Sequence, residues 1–180
     1  MPGPFFTDKV DLGYLPTYLR LAGQIGIEGR VCEVGVHRGH SLDMWRVLFP
    51  AGLVVGVDHD PAARWPDGTH RIVAAQDDPA LPRRLAAVSP RFDLVVDDAS
   101  HDGALTRATW ELLWPLVAPG GWYVVEDWQV GFDDWPLFDA SMLALARSLL
   151  AELGQAGGEV AEITYRHGMI VLERRSDLVK

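Results

Sequence analysis

Val31-Cys32-Glu33-Val34-Gly35-Val36 runs into His37-Arg38-Gly39-His40-Ser41 and then into a helical stretch that opens near Leu42. A short apolar run, a glycine-bearing turn and a helix together form the opening unit of a parallel α/β sheet. Such sheets bind their ligands at the carboxyl ends of the strands. Gly35 and Gly39 let the backbone pass close to a ligand, Ser41 stands at the head of the helix, and Glu33 offers a negative charge to a cationic group. A dinucleotide site needs Gly-x-Gly-x-x-Gly, whose middle glycine admits a pyrophosphate. His37 occupies that position here, so the turn disfavours a pyrophosphate and suits a ligand that carries positive charge.

Working outward, strands are predicted at 30–35, 53–58, 71–75, 92–97 and 121–126. Runs such as Leu94-Val95-Val96 and Tyr123-Val124-Val125 suit central strands buried on both faces. Helices are predicted at 14–25, 40–49, 103–117 and 137–153, with a short one around 80–88; Pro119-Gly120-Gly121 reads as the turn between the third long helix and its strand. Val160 to Arg166 and Met169 to Arg174 flank His167-Gly168, which predicts a terminal antiparallel hairpin. The expected fold class is α/β: a doubly wound, mostly parallel, seven-stranded Rossmann-like sheet ending in that hairpin. All 180 residues are read as one domain, with an N-terminal helical segment at 1–28 and a core at 29–174.

The second strand ends in Asp58, placed to accept the hydroxyls of a ribose. After the third strand, Gln76 and Asp77 supply an amide and a carboxylate suited to an adenine amino group. Helix capping or a solvated turn explains such acids equally well. Taken together, Glu33-Val34-Gly35, Gly39 and Asp58 resemble the first two motifs of the class I S-adenosylmethionine-dependent methyltransferases, over roughly residues 30–174. That resemblance implies S-adenosyl-L-methionine as cofactor, with Gly35 and Gly39 passing its methionine part and Asp58 holding its ribose.

The fourth strand ends Asp97-Asp98-Ala99-Ser100-His101-Asp102 and the fifth Glu126-Asp127-Trp128, so acids and a histidine converge on one sheet edge. Neighbouring strands ending in carboxylates offer several oxygen ligands to one hard divalent ion, and His101 stands nearby as a proton acceptor. Gathering such acids without a cation is costly. Asp-Asp-x-Ser-His followed by Glu-Asp resembles the metal-dependent O-methyltransferases of macrolide sugars, and more loosely the related rhamnosyl and cephalosporin enzymes. By that resemblance Asp98, Glu126 and Asp127 hold Mg²⁺ and His101 is the general base, acting on a small-molecule hydroxyl. Ala99 departs from the family's glycine, and the sugar enzymes are considerably longer.

Trp45, Trp110, Trp114 and Trp122 read as core residues, while Trp128 and Trp135 bracket a segment that suits equally a lid over the acceptor or packing on the sheet. Tyr14 and Tyr18 could close the cofactor site from the other side, but helix packing is the better reading for them. The 16 basic against 25 acidic residues, a formal charge of −9, oppose a nucleic-acid partner. No apolar run reaches the ~20 residues of a membrane span. Cys32, without a second cysteine to pair with, fits a reducing, cytoplasmic compartment. The apolar Phe5 and Phe6 are candidates for docking a second chain. The competing classes are a non-catalytic cofactor- or partner-binding module and a metal-dependent hydrolase on the same fold.

Overall fold

The valine-rich runs become strands. The computed structural model describes residues 6–132, 140–155 and 157–176. Among these, β1 (Arg30–Val34), β2 (Leu53–Asp58), β3 (His70–Val73), β4 (Phe92–Asp97), β5 (Val117–Glu126), β6 (Val160–Arg166) and β7 (Met169–Arg174) form one sheet of order β3-β2-β1-β4-β5-β7-β6. The first five strands pair in parallel, and β7 runs antiparallel between β5 and β6. The helices are α1 (Asp8–Asp11), α2 (Leu15–Ile25), α3 (His40–Leu48), α4 (Leu81–Ala86), α5 (Gly103–Leu113) and α6 (Ala140–Leu153).

Strand alternation sorts the core into two layers. Cys32, Val34, Val95, Tyr123 and Val125 face α5 and α6, where they meet Trp110, Leu113, Met142 and Leu149. Val31, Leu94, Val96, Trp122 and Val124 face the other way, onto Tyr18 and Leu21 of α2 and Leu42 and Trp45 of α3. The same two-residue period carries charge. Glu33 is in step with Val31, Asp98 with Val96, and Glu126 with Val124. Because Glu33 pairs with Val96 and Asp97 with Val125, the period brings acids from three neighbouring central strands to the α2 face.

One boundary differs from the sequence reading. α5 stops at Leu113, Trp114–Leu116 makes a 3₁₀ turn around Pro115, and β5 already begins at Val117. Pro119-Gly120-Gly121, expected to precede the strand, lies inside it. Val117 pairs with Phe92, the register then shifts before Leu94, and Gly120 at φ +74° absorbs the irregularity.

At the amino end of the sheet, the Asp93 carboxylate accepts from the Arg30 guanidinium at 2.8 and 2.9 Å and from the Arg30 backbone N–H at 2.8 Å. Burial, the largest single influence, raises the Asp93 carboxyl, but the Arg30 contacts outweigh it and hold it below the usual carboxylate range. A depressed folded-state value contributes stability above the unfolded-state pKa and loses it as pH falls through the folded one. Asp93→Asn is therefore expected to cost about 1 kcal/mol at pH 7, discounted for the pair's partial exposure. Denaturant melts should show that difference shrinking as the pH is taken down into the acid range.

Candidate active site

At the carboxyl ends of β1, β2 and β4 lies a cavity of about 1020 Å³, lined by residues that include Gly35, His37, Gly39, Ser41, Asp58, Gln76, Asp98, His101 and Asp127. Its size suits a nucleoside-sized ligand. The glycine turn is built as its sequence requires. Gly35 sits at φ +99°, where an added Cβ would overlap the carbonyl oxygen of Asp98; Gly39, at φ +67°, packs against the carbonyl of Arg64. The non-glycine residues with positive φ among the described residues, His37, His101 and Asp127, all line this cavity. Strained backbone gathered at one edge is a mark of a functional site.

Asp58 holds the turn together. One carboxylate oxygen accepts from the backbone N–H groups of Val36 (2.8 Å) and His37 (2.9 Å), the other from that of Asp60 (2.9 Å). Burial is the strongest single influence and raises its carboxyl, yet the three backbone donors outweigh it and keep Asp58 below the usual range. It remains an anion at the cavity wall. Gln76 also lines the cavity, with its amide donating to Thr109 Oγ1 at 2.9 Å. Asp77, read as its companion, is exposed and is not among the lining residues. The turn after β3 takes it away from the cavity wall.

The acid edge divides into two parts. In the outer part, Asp98, His101 and Asp127 each offer one ligand atom, all within 4.8 Å of one another. His101 Nε2 lies 3.7 Å from Asp127 Oδ2 and 4.0 Å from Asp98 Oδ1. The two carboxylates at this spacing, with the imidazole beside them, suit a divalent ion such as Mg²⁺ or Mn²⁺. Asp127 reaches this position because its left-handed backbone, φ +54°, breaks the strand alternation after Glu126; its N–H donates to the Gly168 carbonyl at 2.7 Å. Tyr14 donates to Asp127 Oδ1 at 2.5 Å.

In the inner part, Glu33, Asp98 and Glu126 surround the Lys9 ammonium. Nζ lies 2.6 Å from Asp98 Oδ2, 2.8 Å from both oxygens of Glu126 and 3.2 Å from Glu33 Oε1. Burial, the largest influence, opposes the charge on Lys9, but the attraction of Glu126, Asp98 and Glu33 together prevails and pushes its pKa well above the ordinary lysine range. Two residues therefore depart from their expected places. Glu126, read as a metal ligand, is 2 % exposed and has both oxygens engaged by Lys9, with Tyr18 donating to Oε1. Glu33, read as the attractor of a cationic ligand, is fully buried and does not line the cavity. Its partners are Lys9, the Ser41 hydroxyl (2.6 Å) and the Trp45 indole N–H (3.0 Å). The reason is common to both: strand alternation turns them to the α2 face, below the rim.

The sequence reading does not place Lys9 at the site, and it favours helix packing for Tyr14 and Tyr18, which instead donate to Asp127 and Glu126. The tyrosines are four apart and so share one face of an N-terminal helical stretch. Counting the strand period from Glu33, Asp98 and Glu126 also demands a buried cation nearby. Next to this cluster, burial pushes the Asp97 carboxyl, to which Tyr123 donates at 3.2 Å, up to about 7. Asp102 caps α5 by accepting from Ala104 and Leu105 N–H, both at 2.9 Å. Trp128 packs edge-on against Tyr165 and Phe132 and donates its indole N–H to Arg166, so it lies on the hairpin. Trp135 falls outside the described residues, as does Phe5; Phe6 is 78 % exposed and lines the cavity. No helix among the described residues is long and apolar enough to cross a membrane.

Among known proteins, this chain is similar to several O-methyltransferases. L-olivosyl-oleandolide 3-O-methyltransferase of Streptomyces antibioticus is 33% identical over 144 residues, covering 76% of this chain and 37% of its own. A Streptomyces olivaceus enzyme, 8-demethyl-8-alpha-L-rhamnosyl tetracenomycin-C 2'-O-methyltransferase, is 42% identical over 104 residues, 57% of this chain and 27% of its own. Among solved structures, the MycE methyltransferase of the mycinamycin biosynthetic pathway, in complex with Mg, SAH and mycinamycin VI, superposes with a TM-score of 0.77 at 29% identity. It covers 93% of this chain and 51% of its own. The chain thus spans about a third of the length of these curated relatives and half that of the solved one. A family profile described as a methyltransferase domain matches residues 32–128, more than half of the sequence, and the chain belongs to that family.

Proposed function

We propose that this chain transfers a methyl group from S-adenosylmethionine to a hydroxyl of a small-molecule acceptor, a sugar moiety of a natural product, with the help of a divalent ion. The observation that carries the proposal is the meeting, in one cavity, of the Gly35–Gly39 turn, Asp58 and the Asp98–His101–Asp127 cluster. The relatives named for methylating sugar hydroxyls support the acceptor class. When bound, the cofactor supplies an electrophilic sulfonium methyl, and the ion lowers the charge cost of forming an alkoxide-like oxygen.

The chain's own residues align the reactants and manage one proton. The Gly35 turn leaves the rim open for a close backbone approach, and Asp58 fixes that turn through Val36 and His37 N–H while offering its carboxylate to a ribose. Asp98 and Asp127 would hold the ion beside the entering hydroxyl, with His101 outside its donor set. His101, whose Nε2 faces both acids, takes the proton at that nitrogen as the new bond forms. In-line alignment of this kind accounts for much of the rate of such a displacement.

Calorimetry with S-adenosylhomocysteine tests the donor, and titration with Mn²⁺ tests the ion. Micromolar S-adenosylhomocysteine binding is expected, weakened about 100-fold or more in Asp58→Ala as buried hydrogen bonds to the ribose and to the turn are lost together. No binding would favour a hydrolase; binding without any methyl transfer to glycosylated acceptors would favour a non-catalytic module.

A further inference from the structure

We infer that Lys9 is a built-in cation that competes with a divalent ion for the acid edge, holding Glu126 and one oxygen of Asp98 so that the ion meets a smaller donor set than the sequence motif offers. The inference rests on the metal-assisted reading above and deepens it. Asp98 is the hinge of the arrangement. Its Oδ2 lies 2.6 Å from the Lys9 ammonium, and its Oδ1 faces His101 in the outer cluster. An ammonium has three protons to give, and Lys9 stands within 3.2 Å of three carboxylates. Tyr18 adds a second donor to Glu126 beside the ammonium.

The charge balance explains why both cations belong here. Glu33, Asp98, Glu126 and Asp127 bring four carboxyl groups to the edge against the one ammonium of Lys9, which leaves Asp127 and Asp98 Oδ1 to face a second cation. Glu33 Oε1, fully buried, accepts no hydrogen bond. Two like charges a few ångströms apart repel, and more strongly where water is excluded. The ammonium thus weakens the divalent site and withholds Glu126 from it. Lys9 sits on α1, a four-residue helix whose neighbours Phe6, Thr7, Asp8, Val10 and Asp11 line the cavity. The segment that competes for the ion is also a wall of the ligand site.

The experiment is Mn²⁺ binding followed by the loss of the free-ion paramagnetic resonance signal, without cofactor or acceptor, on the whole chain and its Lys9→Met variant. Removing the ammonium is expected to tighten Mn²⁺ binding by about tenfold or more and to raise the thermal shift that Mn²⁺ produces. Because Lys9→Met leaves the buried Glu33 and Glu126 and the half-buried Asp98 without their countercharge, the same comparison is made between Glu33→Gln and Glu33→Gln/Lys9→Met, which carry one buried acid fewer. Equal or weaker affinity after loss of Lys9 in both pairs overturns the inference. Binding that appears only in the Lys9 variants supports it while removing the metal-assisted reading. No binding in any form overturns both.

Discussion

The His101→Ala enzyme is expected to lose 10²- to 10⁴-fold in turnover, about the contribution of a positioned general base, while S-adenosylhomocysteine affinity stays within a few-fold of the parent. His101 lines the cavity at its acid end, with Nε2 between Asp98 and Asp127. The turn proposed to receive the cofactor is organised instead by Asp58. A proton acceptor acts in the transition state, so kcat and kcat/KM should fall together. Single-turnover methylation of a glycosylated acceptor, beside calorimetry on the same preparation, separates the two effects. Unchanged turnover would remove His101 from the reaction. An equal loss of cofactor affinity would make it a structural residue. The left-handed backbone at His101 argues for the chemical role, because such a conformation costs on the order of 1 kcal/mol and persists only where the surroundings impose it.

The second large effect lies in the backbone. Gly35→Ala is expected to destabilise the protein by about 3 kcal/mol or more, through a positive φ that L residues rarely adopt and an overlap with the chain at Asp98. Gly35 N–H donates to Val57 O, and Asp98 N–H donates to Val34 O, both at 2.8 Å. The three central strand ends are thereby tied at this one point, and no flexible side chain is available to yield. Denaturant unfolding should report the loss, and S-adenosylhomocysteine binding should fall with it. A variant that melts like the parent and binds the cofactor normally would show that the turn tolerates a side chain, contrary to the geometry.

Much of the fold was legible because burial on both sheet faces leaves a plain imprint. Runs such as Leu94-Val95-Val96 have no polar alternation to confuse them, and the β6–β7 hairpin boundaries follow from His167-Gly168. The start of β5 was hidden by Pro119-Gly120-Gly121, where a bulge imitates a turn. In the site, the residues that line the rim, Gly35, Gly39, Asp58, Asp98, His101 and Asp127, could be placed from the rule that ligands meet the carboxyl ends of strands. What that rule cannot supply is the direction of a side chain relative to the rim. Glu33 and Glu126 are acids at strand ends too, but the two-residue period sends them under the edge to Lys9 and Tyr18. Those partners come from a segment far away in sequence, with no motif to announce them. Asp77 was misplaced for a simpler reason: one position beyond Gln76, the chain has already turned outward.

The hairpin has a bearing on when this protein becomes competent. Gly168 lends its carbonyl to the Asp127 N–H and packs against the ring of Tyr14, which in turn grips the Asp127 carboxylate. A nascent polypeptide that has left the ribosome only as far as Trp128 possesses every residue of the family motifs, yet the Asp127 N–H lacks its Gly168 partner. The rim around Asp127 thus takes its final form only once the last two strands dock, and shortened translation products would lack that anchor even where their nucleotide-sized hollow had formed.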